Sequence, residues 1–291
     1  MAFIMHNWFL IFSLLLAPIA QVDAALAWVY SQQQEDGGWS DGFDPRKSSP
    51  GITADAIIAL WAAGEDLNAL ENDPGFVLED YASLNQSTLS VALAAKLVLV
   101  AVITNRNPQD FDRVNLVDVI QHQLETASTY ETCLAVIALY VADIAPPQNA
   151  LTRIEESANT DGGWGFTLDS PRDTNTTALC IQASAAYGLN MAPALNYLKS
   201  VQNRDGGWPF EKPSRFGTES DAFSTALVIM ALHAAGETLE SWNHPQETLL
   251  QFQRADGAFN LTLSGADNQP MLTTLQVIPA LQGISLLDLK P

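Results

Sequence analysis

The sequence predicts an all-α protein, an (α/α)6 barrel in which six helix pairs form a closed ring. One observation is an internal repeat whose copies start 41, 38, 45, 48 and 49 residues apart. A second is that one segment of each copy is apolar on nearly every side, as in "TADAIIALWAAG". A third is that no long stretch alternates with the period of two that indicates a sheet. A period of this length fits two helices and two loops.

The apolar segments are the predicted inner helices. They begin at Thr53, Ala94, Thr132, Thr177, Thr225 and Thr274. A helix that is apolar on all sides is buried on all sides. An open solenoid keeps a wet concave face, and these segments lack the charged stripe that such a face would need. Closure into a ring is therefore the expected architecture.

A more polar helical stretch precedes each inner segment. These stretches are residues 25–33, 76–85, 114–125, 147–158, 191–203 and 245–253. In the fifth, Ala194, Leu195, Leu198 and Val201 share one stripe, and polar groups lie opposite. This pattern is typical of an amphipathic helix that covers a core. We therefore expect six outer helices around the inner ring, and Pro279 in the last inner segment is consistent with a terminal repeat that closes it.

Residues 1–24 predict a secretory signal peptide. The apolar run Trp8–Ala20 is shorter than the roughly 20 residues of a membrane span, and Val22-Asp23-Ala24 fits a small-residue cleavage pattern. The competing interpretation is an uncleaved N-terminal anchor. We expect residues 25–291 to form a single barrel domain that is secreted or located in the cell envelope, with no membrane span in the mature chain.

The net charge argues against two classes of partner, and the cysteines and histidines bear on disulfide and metal content. Against 33 acidic residues stand 13 Lys and Arg, and this net charge of −20 argues against nucleic acid or an anionic membrane as partner. Cys133 and Cys180 lie in apolar helical patterns, so they are either two buried thiols or one disulfide. No set of histidines, cysteines and acids has metal-ligand spacing, and no metal or other cofactor is expected.

Asp-Gly-Gly-Trp turns follow the outer helices of four repeats, the last as "DGAF" at 256–259. Glycine accepts the left-handed conformation that ends a helix, and the following Trp or Phe is a large apolar anchor. A glutamine stands three residues before the Asp in three copies, and Ala158 stands there in the other. The predicted structural turn residues are Gln33, Asp36, Trp39, Asp161, Trp164, Gln202, Asp205, Trp208, Asp256 and Phe259.

Three of these turns carry a family resemblance. "QQEDGGW", "ANTDGGW" and "QNRDGGW" resemble the repeats of the squalene–hopene cyclase and protein prenyltransferase superfamily, whose fold is a terpenoid cyclase-like α/α toroid. The resemblance covers the mature chain through its repeats. It implies that the turns tie neighbouring helices together and are not catalytic. It also implies a choice among terpene cyclisation, zinc-dependent prenyl transfer, thioester formation and cobalamin transport.

The residues that those activities need are absent or replaced. Cyclases of this superfamily have an Asp-x-Asp-Asp-Thr-Ala motif whose middle Asp is the acid, but "DTNTTA" has Asn175 and "DAFSTA" has Phe223 at that place. Neither side chain can protonate an alkene. The zinc-ligand and thioester motifs are not found. A barrel resembling the cobalamin carriers stays open as an alternative only if a partner supplies their second, β-rich domain.

The loops after the turns form a candidate ligand mouth at the N-terminal ends of the inner helices. Its candidate residues are Arg172, Asp173, Asn175, Lys212, Arg215, Glu219, Asp221 and Phe223. The plainer interpretation is that Asp173, Asp221 and the repeated threonines are helix caps.

We expect a non-catalytic barrel that binds a small hydrophobic or amphiphilic molecule or serves as an interaction module. A terpenoid cyclase or prenyl-processing enzyme whose acid is Asp55, Asp173 or Asp221 is the alternative, and a pure scaffold with a plugged barrel is the third. The binding hypothesis predicts a cavity of roughly 300 Å³ or more at the mouth.

Overall fold

The computed structural model describes residues 20–70, 72–214, 217–265 and 269–290. These ranges contain twelve α-helices that alternate between an outer and an inner layer. The outer helices are α1 (20–31), α3 (Pro74–Leu84), α5 (Leu116–Gln123), α7 (Gln148–Glu156), α9 (Ala192–Val201) and α11 (Pro245–Leu250). The inner helices are α2 (Pro50–Ala62), α4 (Val91–Ile103), α6 (Thr129–Val141), α8 (Thr174–Ala186), α10 (Ala222–Ala234) and α12 (Pro270–Leu281). Over the same ranges the backbone forms isolated β-bridges and no strand.

The inner helices form a closed ring. Each packs against the next in chain order, and α12 packs against α2. Most side chains of the inner helices are buried, which explains why those segments are apolar on nearly every side. The predicted (α/α)6 barrel is confirmed.

The inner helices begin one turn earlier than predicted, so the repeated threonines do not cap them. Thr177 lies inside α8, where its Oγ1 accepts a hydrogen bond from the backbone N–H of Trp164 at 2.9 Å. Thr53, Thr225 and Thr274 accept from the backbone N–H groups of the corresponding anchors at 3.0, 3.1 and 2.9 Å. The expectation that these threonines are caps is wrong, because each satisfies the turn that precedes its helix.

The Asp-Gly-Gly-Trp turn joins an outer helix to the next repeat. In the copy at 205–208, Trp208 is fully buried and its indole N–H donates to the carbonyl of Leu198 in α9 at 2.8 Å. Gly206 has φ +93°, a conformation that favours glycine. Gln202 donates to the carbonyl of Gly206 at 2.9 Å and to that of Trp242, just before α11, at 2.6 Å. The turns therefore make the inter-repeat contacts predicted for them.

The same glutamine bridge joins the last repeat to the first. Gln253 donates to the carbonyl of Gly257 at 3.0 Å and to that of Gln21 in α1 at 2.7 Å. Residues 1–19 of the predicted signal peptide lie outside the described residues. Residues 20–24 form the start of α1, where Val22 is buried. Among the helices described, none has the length and apolar character needed to cross a membrane.

A C-terminal 3₁₀ helix, Leu286–Leu289, covers the end of the barrel at which the inner helices end. Leu289 is buried, and the backbone N–H of Leu286 donates to Oε1 of Gln182 in α8 at 2.9 Å. The segment packs against α4, α6, α8 and α10. The C-terminal segment therefore covers this end of the ring.

A disulfide between Cys133 and Cys180 links α6 to α8, with the two Cα atoms 5.0 Å apart. The sequence left two possibilities open, two buried thiols or one disulfide, and the structure contains the disulfide. Both residues are fully buried.

Candidate ligand site at the barrel mouth

A cavity of about 280 Å³ lies at the N-terminal ends of α8, α10 and α12. Its volume is close to the lower limit of known ligand pockets, roughly 300 Å³. Apolar and polar groups share the lining, which consists of Asn175, Phe210, Asp221, Phe223, Ser224, Leu261, Gln269, Leu272 and Thr273. These residues belong to the first turns of the three helices or to the loops before them, so the cavity is a depression in the mouth.

Three candidate mouth residues meet in this cavity: Asn175, Asp221 and Phe223. Asn175 and Phe223 are the second residues of α8 and α10 and hold corresponding places in neighbouring repeats. Oδ1 of Asn175 is buried and has no hydrogen-bond partner among the described residues. The two positions at which a cyclase motif would place its acid thus supply an amide and an aromatic ring to the cavity wall.

Asp221 caps α10 while lining the cavity. Its Oδ1 accepts from the backbone N–H of Ser224 at 2.6 Å, and its Oδ2 accepts from the Ser224 hydroxyl at 2.8 Å. Burial raises the pKa of Asp221 to about 6, although these hydrogen bonds favour the charged form and oppose the shift. Both carboxylate oxygens are therefore engaged with the helix start.

Asp173 caps α8 in the same way and does not line the cavity. It accepts from the backbone N–H of Thr176 at 2.7 Å and from the Thr176 hydroxyl at 2.9 Å. Burial raises the pKa of Asp173 to about 6, and these hydrogen bonds again oppose the shift. The two candidate acids are equivalent caps in adjacent repeats.

Asp55, the third candidate acid, forms a buried ion pair. Its Oδ2 lies 2.7 Å from Nζ of Lys96 on the neighbouring inner helix. Burial raises the pKa of Asp55, and the Lys96 ammonium opposes that shift. Burial would lower the pKa of Lys96, but the Asp55 carboxylate raises it, so the lysine stays protonated. An acid held by a protonated lysine is a poor proton donor.

The remaining candidate mouth residues bind neighbouring loops and turns. Arg172 pairs with Asp161 at 2.6 Å, and Lys212 donates to Oδ1 of Asn203 at 3.0 Å. Glu219 accepts from the Ser264 hydroxyl at 3.3 Å. Arg215 lies outside the described residues. The structure thus brings three of the eight candidates together in the cavity.

The prediction included Phe223 but missed the rest of the apolar lining, part of which comes from the second residue after two of the turn anchors. Phe210 and Leu261 hold this place, and each is also a structural link. The carbonyl of Phe210 accepts from the backbone N–H of Thr174 at 2.7 Å, and that of Leu261 accepts from Ala222 at 2.8 Å. The recurrence of a large apolar residue at this place, including Phe166, is the signal that could have identified them.

The described residues contain no group of three or more histidine, cysteine, aspartate or glutamate side chains placed to hold a metal ion. The polar lining of the cavity suits hydrogen bonding to a small molecule.

Comparisons with known proteins agree on the architecture. No protein-family model matches the chain. A drimenyl diphosphate synthase from Streptantibioticus cattleyicolor is 34% identical over 104 residues, which are 36% of this chain and 18% of that enzyme. The chain therefore spans less than a fifth of the length of this curated relative.

Two solved structures match most of the chain. The type II terpene cyclase MstE from Scytonema has a TM-score of 0.65 at 14% identity, over 91% of this chain and 97% of that one. A wild-type glycosidase has a TM-score of 0.67 at 13% identity, over 95% and 98% of the two chains. At such identities the likeness concerns the fold, since one fold hosts many activities. The chain has the terpenoid cyclase-like α/α toroid fold that its repeated turns indicated.

Proposed function

We propose that this protein is an exported, non-catalytic barrel that binds a small hydrophobic or amphiphilic molecule in the mouth cavity. The observation that carries the proposal is that Asn175, Asp221 and Phe223 line one cavity together with three further apolar residues, Phe210, Leu261 and Leu272. A concave site that is largely apolar, with a few convergent polar groups, is typical of small-molecule binding.

The state of the candidate acids supports binding without chemistry. Asp173 and Asp221 each accept two hydrogen bonds at a helix start. Asp55 is paired with Lys96. A general acid must reach the reacting atom with a proton to give, and each of these carboxylates is already committed to a structural partner.

Two observations support export. The N-terminal residues have the pattern of a secretory leader. The buried Cys133–Cys180 disulfide is a bond that forms and persists in oxidising compartments.

Native mass spectrometry of the purified protein tests the binding proposal. We expect a small molecule to accompany the wild-type protein and to be lost from Leu272→Trp, which fills the cavity. Leu84→Trp is the matched control, because Leu84 is 84% exposed on α3. Equal ligand content in the two variants would contradict binding at the mouth.

A terpenoid cyclase is the second candidate, because Asp221 lines the cavity and burial raises its pKa to about 6. The names of the matched synthase and of MstE refer to terpene chemistry. Incubation with squalene and with prenyl diphosphates, followed by mass spectrometry of the products, decides between the two. A cyclised product that Asp221→Asn abolishes would replace the non-catalytic proposal.

A further inference from the structure

We propose that the ligand of the mouth cavity is an apolar alcohol, whose hydroxyl binds the amide of Asn175 and whose hydrocarbon part lies among the apolar side chains. This inference rests on the proposed binding function and specifies the chemical class of the ligand. It excludes an anionic head such as a phosphate or diphosphate as the preferred partner.

The amide of Asn175 favours a hydroxyl as the polar group of the ligand. The residue lines the cavity, and its Oδ1 is buried without a hydrogen-bond partner in the described part of the chain. A buried polar atom left unpaired destabilises the protein, and a ligand removes that cost when it supplies the partner. An amide presents both a donor and an acceptor, and a hydroxyl is the small neutral group that matches both.

The charge of the cavity lining disfavours an anionic ligand. Asp221 is the one charged side chain among the lining residues that the structure describes, and the other polar members are Asn175, Ser224, Gln269 and Thr273. A phosphate in this cavity would lie beside a carboxylate, without a lysine or arginine among the described lining residues to offset its charge. Like charges at short range repel each other and disfavour binding.

A cationic head is disfavoured for a different reason. An ammonium group would lose its hydration on entering a largely apolar cavity, and burying a charge costs free energy even beside a carboxylate. It can donate to Oδ1 of Asn175 but can accept no hydrogen bond. A neutral hydroxyl avoids the cost of burying a charge.

The apolar part of the lining favours a ligand with a hydrocarbon part. Phe210, Phe223, Leu261 and Leu272 come from two loops and two helices and border the same space. Phe210 and Leu261 are 41% and 39% exposed, so a ligand can bury apolar surface against them. Each methylene group that a ligand buries there strengthens binding through the hydrophobic effect.

Isothermal titration calorimetry with three probes that share one hydrocarbon skeleton tests the inference: geraniol, geranylamine and geranyl diphosphate. We expect the wild-type protein to bind geraniol at least about tenfold more tightly than either charged probe. Asn175→Leu is expected to weaken geraniol binding about tenfold, since it removes the hydrogen bond. Asn107→Leu is the control, because Asn107 is exposed in the loop between α4 and α5.

The outcomes separate this inference from the function on which it rests. Equal or tighter binding of the diphosphate or the amine by wild-type protein would overturn the alcohol assignment and leave the binding function in place. The same holds if a folded Asn175→Leu variant binds geraniol as wild type does. The comparison among probes needs no variant, so it decides even if that variant does not fold. Failure of all three probes to bind, in a protein that carries no native ligand, would overturn the binding function itself.

Discussion

At the scale of single residues, Asp173 and Asp221 show how one side chain can both build a helix and titrate. Each accepts two hydrogen bonds from the residue three positions later, and each is buried beneath the rim loops. Burial raises both pKa values to about 6, compared with about 3.9 in an unfolded chain. The folded protein therefore holds these protons at pH values where the unfolded chain has released them.

The first prediction concerns Asp221→Asn, which keeps a good N-cap but does not titrate. A raised carboxyl pKa gives a contribution to stability that is fully present below about pH 4 and lost as the pH rises through about 6. Relative to wild type, the variant should therefore gain about 2 kcal/mol in free energy of unfolding between pH 4 and pH 7. Urea unfolding at both pH values measures this gain. A difference between the two proteins that does not change with pH would contradict the assignment.

The second prediction concerns the Asp55–Lys96 pair. Asp55 is 5% exposed at its side chain and Lys96 is 22% exposed. Lys96→Met leaves a buried carboxylate without its partner and should lower the free energy of unfolding by about 3 kcal/mol. Asp55→Leu combined with Lys96→Met removes both charges and should recover most of that loss. A double variant as unstable as the single one would show that packing, and not the lost charge partner, causes the effect.

At the scale of elements, the turn is the recurring unit, and the third prediction concerns the copy that lacks the glutamine. Gln33, Gln202 and Gln253 each bridge their own turn and the next outer helix segment. Ala158 stands at the matching place, beside a cavity of about 200 Å³ whose lining includes Gly162 and Asn190.

Ala158→Gln should fill that space, restore the bridge and raise the free energy of unfolding by about 1 kcal/mol. Gln202→Ala is the matched reverse change and should lower it by a similar amount. Thermal and urea unfolding measure both variants. A destabilised Ala158→Gln protein would show that the fourth turn has a different geometry.

At the scale of the whole molecule, packing of α12 on α2 closes the ring, and a disulfide links the neighbouring inner helices α6 and α8. The fourth prediction is that Cys133→Ser with Cys180→Ser lowers the free energy of unfolding by about 3 kcal/mol, because a bond that spans 47 residues restricts the unfolded chain. Denaturant unfolding with and without reductant measures this. Wild type should lose stability on reduction and the double variant should not, so equal sensitivity of the two would contradict a disulfide in the folded protein.

The register of the repeats also predicts contacts between neighbouring inner helices. Asp55 and Lys96 are both the third residue of their inner segments, counted from Thr53 and Ala94. Because adjacent inner helices run side by side, equal register places these two charges together. The ion pair could therefore have been predicted from the alignment of repeats, whereas Cys133 and Cys180 differ in register and gave no such signal.

The sequence by itself determined the helix pairs, the turns that join them and the closed ring. These features depend on short-range rules, namely the helical period, the conformations open to glycine and the burial of segments that are apolar on every side. Only the tertiary structure decided which of the eight mouth candidates meet in a cavity and whether the cysteines pair. Those outcomes depend on distances between side chains that lie 40 to 50 residues apart, and such distances are set by packing across the ring.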